Sequence, residues 1–253
     1  MKIILIKFGG SLFSNEHNRE KFWQDVQTLR SSGIHVIIVH GGGKEISKWI
    51  EKVGSQVQFV EGLRYTDDEI MDIVEMVLSG KLNKQLVTEC GRDAIGLSGR
   101  DANLIIANNV KELGLVGKPA KMNIDILKKL CNLNCIPIIS PVSNDADGQH
   151  LNVNADDAAN AIAIALKVDA LVFMTDMPGV LDGKGETITH INKGIAQDFK
   201  KRNIIHSGML VKISSAFSAI EQGVKSVNII DGREYGIIKD IFIKGEEKGT
   251  RVE

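Results

Sequence analysis

The sequence predicts an α/β fold, a mostly parallel sheet whose strands are joined by crossover helices, and three observations carry that prediction. Short apolar, β-branched runs alternate with amphipathic stretches of helical period. Glycines mark the junctions where two early runs give way to helical patterns. Finally, 253 residues, 43% of them hydrophobic, suffice to bury a large core in one doubly wound unit or two lobes.

The elements follow in order. Strands are expected at 3–8, where Ile3-Ile4-Leu5-Ile6 is continuously apolar, then at 35–40, 94–97, 136–140, 170–175 and 226–231. Helical periodicity fills most gaps, at 19–30, 44–53, 68–78, 124–133, 156–167 and 210–222. The helix at 68 has a ready N-cap in Asp67 or Asp68, and the one at 156 has Asn154 or Asp156. Two stretches break the alternation with hairpin chemistry: 103–121, with Asn108-Asn109 and then Gly114 and Gly117, and 144–154, with Asp147-Gly148 at the turn. Both are expected to be lids on an edge of the sheet. With no linker and no repeat, the chain reads as one domain of two lobes dividing near residue 180.

Composition excludes several classes. Lys and Arg number 31 against 32 Asp and Glu, a formal charge of −1, so nothing points to a polyanion binder and no nucleic-acid partner is expected. The first apolar run is too short for a signal-peptide core and no later run reaches membrane-spanning length, so a soluble, cytoplasmic protein is expected. Cys90, Cys131 and Cys135 form no CxxC pair and no cluster with His at zinc spacing; they read as reduced thiols, and no protein-held metal is expected.

The chemistry concentrates at strand ends. Lys7-Phe8-Gly9-Gly10-Ser11 follows the first strand and His40-Gly41-Gly42-Gly43-Lys44 the second. Glycines let backbone N–H groups approach an anion, and a following helix adds the positive end of its dipole. Neither is a Walker A sequence or a dinucleotide GxGxxG, so a dehydrogenase is disfavoured. Lys7 ends an apolar run, so its ammonium would emerge at the glycines; a snorkelling strand lysine is the ordinary alternative. Asn152-Val153-Asn154-Ala155-Asp156-Asp157 places several polar side chains where a helix opens, of which capping explains one. Asp176 and Met177-Pro178-Gly179-Val180 form a turn suited to wrapping a ligand. Lys212 sits near a helix start, where the dipole disfavours a cation, although a surface lysine is the default. Arg64 lies in a loop and could clamp a carboxylate with two parallel bonds.

Together with Gly62-Leu63-Arg64-Tyr65-Thr66-Asp67, Gly80-Lys81-Leu82-Asn83-Lys84, Gly96-Leu97-Ser98-Gly99-Arg100-Asp101, Gly208-Met209-Leu210-Val211-Lys212 and Gly249-Thr250, these segments resemble the amino acid kinase family, in nearly the spacing of a single-domain member. The resemblance implies a three-layer αβα sandwich, with an N-terminal lobe (about 1–180) for an acyl acceptor. ATP would use the C-terminal lobe (about 181–253) together with 171–180. It further implies phosphoryl transfer from MgATP to the side-chain carboxylate of N-acetyl-L-glutamate, on the way to arginine. Residue by residue, Lys7 and Lys212 match lysines that neutralise the transferring phosphoryl group, and Asp156 matches the aspartate that holds them. Gly9, Gly10, Gly42 and Gly43 match backbone donors to the phosphoryl group and the reacting carboxylate. Arg64 matches the clamp on the α-carboxylate, and Asn152 and Asn154 match contacts to the acylated amino acid. Nucleotide contacts are expected at Thr175, Asp176, Gly179, Val180 and Leu181, and at Gly208 and Met209 before Lys212.

The expected chemistry agrees with this set. A carboxylate is already a nucleophile at neutral pH, so lysines, glycine N–H groups and Mg²⁺ are needed rather than a general base, and His40 is expected only to order its glycine loop. Aspartokinases open similarly but carry a longer chain. Kinases of acetylated or carrier-bound 2-aminoadipate share two of the motifs, which leaves the acceptor's chain length open. A non-catalytic nucleotide sensor of the same fold would not need both lysines and Asp156. Arginine-inhibited family members have an extra helix before the first strand; six residues precede Lys7 here, so an arginine-insensitive homodimer is expected.

Overall fold

All four apolar residues Ile3-Ile4-Leu5-Ile6 of the first strand, β1 (Lys2–Phe8), are buried, as a strand covered by helices on both faces requires. This is seen in a computed structural model of the chain, which describes residues 1–9, 16–202, 204 and 207–253. After β1 come helix α1 (Glu16–Ser31), β2 (Ile34–His40), α2 (Gly43–Lys52), the short strands β3 (Phe59–Val60) and β4 (Leu63–Arg64), and α3 (Asp68–Glu75). A π-helical turn (Met76–Leu82) leads into α4 (Asn83–Cys90) and β5 (Ala94–Ser98). Next are β6 (Ile105–Asn109), β7 (Val116–Met122), α5 (Asp125–Asn132), β8 (Ile136–Ser140), β9 (Val142–Asn144), β10 (His150–Val153), α6 (Ala155–Leu166) and β11 (Ala170–Thr175). The chain ends with β12 (Val180–Leu181), β13 (Thr187–Ile188), β14 (His190–Ile191), α7 (Lys193–Lys201), α8 (Ser207–Glu221), β15 (Val227–Asp231), α9 (Ile237–Lys239), a second π-helical turn (Asp240–Lys244) and β16 (Thr250–Val252).

Every expected strand forms, each within a residue of its expected ends. The fold is α/β with a mainly parallel central sheet, as the alternating pattern predicted. Two compact units share the chain: Met1–Val36 with Ala163–Glu253, and Ile37–Ile162. The sequence had suggested a single division near 180; β1 and α1 instead belong with the C-terminal third.

In the first unit β1, β11 and β15 run parallel, with Leu5 beside Leu171 and Leu171 beside Val227. Strand β16 adds antiparallel to β15, and β14 adds parallel to β16. The core is Ile4, Leu5, Ile6, Leu171, Val172 and Ile229, with Phe8 stacked on Trp23 at 6.2 Å and edge-on to Phe22 at 4.9 Å.

In the second unit β2, β8 and β5 run parallel. The helical stretch expected at 68–78 runs on to Cys90, with the π-helical turn absorbing Gly80. Gly80 reads as a breaker in sequence, but Val77, Leu78, Leu82, Leu86 and Cys90 continue one buried stripe and keep the helix going. The two hairpins are not lids on a sheet edge. Strands β6 and β7 pair antiparallel, as do β9 and β10; β10 then pairs parallel with β7 and β6 with β9, closing a four-stranded barrel. Closure leaves no unpaired edge, so these strands satisfy their backbones among themselves.

Candidate active site

The second glycine junction sits in the Ile37–Ile162 unit. Gly42 is extended, and a Cβ there would lie 2.4 Å from Leu82 Cδ1 and 2.7 Å from Leu78 Cδ2. Only glycine lets the backbone pass this close to the π-helical turn. At Gly41 a Cβ would meet the Ala155 Cβ at 3.6 Å, so the loop runs beside the start of α6. At Gly43, where α2 begins, a Cβ would face open space, and no side chain caps the helix. The first-turn N–H groups of α2 thus keep their donors and the positive end of the dipole for an anion.

The loop is tied down from behind. His40 is completely buried, and its Nδ1 lies 3.0 Å from the Gly41 carbonyl, which can only accept; Nδ1 therefore carries the proton. Its Nε2 then accepts from Asn83 Nδ2 at 3.2 Å. Asn83, 1% exposed, also donates to the carbonyls of Leu97 on β5 (3.2 Å) and Ile138 on β8 (2.9 Å). Burial holds the imidazole pKa down at about 4, so the ring is neutral at physiological pH. These bonds tie the ring to the glycine loop at Gly41 and to α4 at Asn83. Asn83 was quoted in a motif but given no part; the signal available was a polar residue on an otherwise apolar helical stripe.

Arg64 is the charged centre of this unit. Its Nη2 donates to the Gly43 carbonyl at 2.9 Å and to Ser47 Oγ at 2.8 Å, and its guanidinium lies 4.8 Å from the Phe59 ring centre. The residue is 7% exposed, yet Nη1 has no hydrogen-bond partner, and no carboxylate pairs with Arg64 among the described residues. Burial lowers its pKa. A buried cation with a donor to spare fits an anionic ligand.

Thr66, fully buried, donates through Oγ1 to the Arg64 carbonyl at 2.8 Å and accepts from Asn152 Nδ2 at 3.0 Å. Asn152 in turn receives its register from the barrel, its N–H bonding the Leu115 carbonyl at 2.8 Å. Arg64, Thr66 and Asn152 therefore form one bonded series running to the glycine loop, and neither Thr66 nor Ser47 was anticipated. Asn154 does what a cap does: its Oδ1 accepts from the N–H groups of Asp156 at 2.8 Å and Asp157 at 3.3 Å. That frees Asp156, half-buried in the first turn of α6, from any need to be the cap. Asp67 caps α3 by accepting from Ile70 N at 2.9 Å.

The other expected residues belong to the first unit. Lys7, half-buried, pairs in register with Phe173 on β11, and buried Gly9 follows it; Gly10 lies outside the described residues. Where β11 ends, Thr175 Oγ1 accepts from Met177 N at 2.9 Å and donates to Met177 O at 3.0 Å, shaping a turn whose Asp176, Met177 and Pro178 are exposed. Gly179 and Val180 are buried beneath it, and Leu181 completes β12. Strand β12 pairs with β13, and in the next turn a Cβ on Gly183 would lie 3.5 Å from Ile204 Cδ1, just ahead of α8. Helix α8 carries Gly208 and Met209 in its first turn and half-buried Lys212 a turn later. Among the described residues no group of three His, Cys, Asp or Glu could hold a metal. No described helix is long and apolar enough to cross a membrane.

Comparison with known proteins agrees with this geometry. Residues 2–231 match the model of the amino acid kinase family. The chain is 42% identical to an acetylglutamate kinase of Aquifex aeolicus (strain VF5), over 99% of this chain and 91% of that one. It is likewise 42% identical to an acetylglutamate kinase of Ruegeria pomeroyi, over 91% and 82%. Among solved structures, smu.665 from Streptococcus mutans UA159 superposes with a TM-score of 0.84 at 28% identity, over 99% of this chain and 98% of that one. A glycine-cradled helix N-terminus, a buried arginine without a counter-ion among the described residues and a family match over most of its length lead to one conclusion: this chain belongs to the amino acid kinase family.

Proposed function

We propose that the chain is an N-acetyl-L-glutamate kinase, transferring the γ-phosphoryl group of MgATP to the side-chain carboxylate of N-acetyl-L-glutamate to give N-acetyl-L-glutamyl 5-phosphate. The observation that carries the reading is Arg64: buried, with Nη1 unbonded, and fixed to the first residue of an uncapped helix. One carboxylate on the guanidinium and a second anion at the α2 N-terminus suit a dicarboxylate.

On this reading Arg64 binds the α-carboxylate, and Asn152 and Asn154 border the acyl amino acid. The N–H groups of Gly42 and Gly43 steady the reacting carboxylate, and those of Gly9 and Gly10 the phosphoryl group. A carboxylate oxygen attacks the γ-phosphorus, the bond to the β,γ-bridging oxygen breaks, and ADP leaves with that electron pair. No proton is transferred, in keeping with a neutral, doubly bonded His40. Lys7 and Lys212 neutralise the charge spread over the phosphoryl oxygens, and Asp156 is the carboxylate that the resemblance adds to this catalytic set. The nucleotide lies on the exposed turn after β11 and on the start of α8, at the carboxyl ends of parallel strands where open α/β folds hold ligands. A chain without an acidic metal nest among its described residues suits Mg²⁺ that arrives on the triphosphate and keeps its waters. When bound, that ion neutralises phosphate charge. Homodimer formation and a cytoplasmic location complete the reading, on the strength of the resemblance.

The test is hydroxylamine trapping of acyl phosphate with MgATP, run in parallel on N-acetyl-L-glutamate, N-acetyl-2-aminoadipate, glutamate and aspartate, each with and without arginine. Product with N-acetyl-L-glutamate alone supports the proposal. Preference for the aminoadipate would move the acceptor to the longer chain, and no product with any acceptor would remove the kinase reading.

A further inference from the structure

The Gly249-Thr250 pair has no part in the reading so far, yet it is one of the most tightly built places in the first unit. Thr250, on β16 opposite Ile229, is completely buried. Its Oγ1 accepts from Val180 N at 2.7 Å and donates to the Ile188 carbonyl at 2.6 Å. Val180 and Ile188 face each other across the β12–β13 hairpin, so a single hydroxyl holds both of its strands. The approach is close on every side. A Cβ on Gly179 would lie 2.6 Å from that same Oγ1 and 2.8 Å from Thr187 Cγ2. Gly249 has φ +66°, and a Cβ there would lie 2.4 Å from the Ile229 carbonyl oxygen. Glycines at 179 and 249 thus allow the hairpin and the last strand to come together on the Thr250 hydroxyl.

We propose that Thr250 is a positioning residue for nucleotide binding: its hydroxyl fixes the height of the turn at 176–181 above the strand ends. The inference rests on the reading that this turn meets ATP. Thr250 touches no substrate. It acts through Val180 N–H, whose direction sets Gly179 and the exposed Asp176-Met177-Pro178 beyond it. A valine at 250 keeps the shape and removes both bonds, so a buried N–H and a part-buried C=O lose the hydroxyl that ties them to the last strand, and the hairpin is free to shift. A serine keeps both bonds and loses only a methyl group.

The experiment combines steady-state kinetics with hydrogen exchange on the full-length enzyme. Thr250→Val is expected to raise KM for ATP on the order of tenfold, with KM for N-acetyl-L-glutamate within about twofold of the parent, while Thr250→Ser stays near the parent for both. In the parent, AMP-PNP is expected to slow exchange at the 175–181 amides, and in Thr250→Val to do so less. If AMP-PNP leaves those amides unchanged in the parent, the nucleotide reading of the turn fails and the inference falls with it. If the parent shows the footprint and Thr250→Val keeps both footprint and KM, the inference alone is overturned. It is also overturned if both KM values rise together, or if the serine variant is as impaired as the valine one. Should the valine chain not fold, Thr250→Cys, a weak donor and acceptor of similar size, takes its place with the same expectations.

Discussion

His40 offers a perturbation whose size can be worked from the structure. Its folded pKa of about 4 lies below the ordinary value of 6.5 because the ring is fully buried, a penalty on the charged form that the bond to the Gly41 carbonyl only partly offsets. The unfolded chain therefore binds a proton between these values that the folded chain refuses, and the stability due to neutral His40 is complete above about pH 6.5 and lost as pH falls toward 4. Linkage puts the loss at about 2 kcal/mol by pH 5 and about 3 kcal/mol near pH 4. The assay is urea unfolding of the parent and of His40→Gln at pH 7.5 and pH 5.0. Carboxylates and exposed histidines titrate alike in both chains and cancel, so the parent's advantage over the variant should shrink by about 2 kcal/mol between the two conditions. An advantage that stays constant would refute the burial and tautomer argument.

Other expectations divide the site into its parts. Arg64→Lys should raise KM for the acyl amino acid on the order of tenfold or more, with little change in KM for ATP, because an ammonium cannot form the two-pronged contact; a change confined to ATP would misplace Arg64. Lys7→Ala and Lys212→Ala should each lower kcat on the order of 10²-fold, and near-normal turnover of either would remove that lysine from the reaction. Gly42→Ala meets Leu82 and Leu78 and should cost about 1–3 kcal/mol in thermal or urea unfolding. Gly43→Ala meets nothing, so it should unfold like the parent while losing acceptor affinity; equal instability of the two would contradict the loop geometry. Arg64→Met removes a buried cation that has no counter-ion among the described residues, and its ligand-free form should melt no earlier than the parent's while losing the thermal shift given by N-acetyl-L-glutamate.

Much of the sheet was legible in the sequence because strands covered on both faces must be apolar throughout, and runs such as Ile3 to Ile6 leave no other reading. Helix α7 was not, because none of its residues is buried and its pattern has no core to answer to. Nor was the small barrel: hairpin chemistry fixes each local turn, whereas the pairing of β10 with β7 joins strands far apart in sequence through no local signal. Within the site, Arg64, Asn152 and the glycines announced themselves by type and place. Ser47, Thr66, Asn83 and Thr250 did not, since a single polar residue in an ordinary helix or strand gains meaning only from the partner across the fold.

That difference separates what holds the site from what the site holds. Asn83 and Thr250 are buried polar groups whose bonds are made within the protein: the amide reaches two strand carbonyls and a ring nitrogen, and the hydroxyl serves both strands of a hairpin. Such groups rigidify, because any motion would break bonds that water cannot replace. Arg64 and the α2 N-terminus are the opposite case, polar groups at low exposure with donors left over. Leaving them so costs stability, and the cost is offset only when an anion arrives. Rigid, satisfied groups around a few unsatisfied ones are what phosphoryl transfer between two anions requires, since donors already aimed at the charge need no reorganisation during the reaction. His40 belongs with the first kind: a titrating imidazole behind the glycine loop would put a pH-dependent charge beneath that loop, and burial beside Asn83 prevents it.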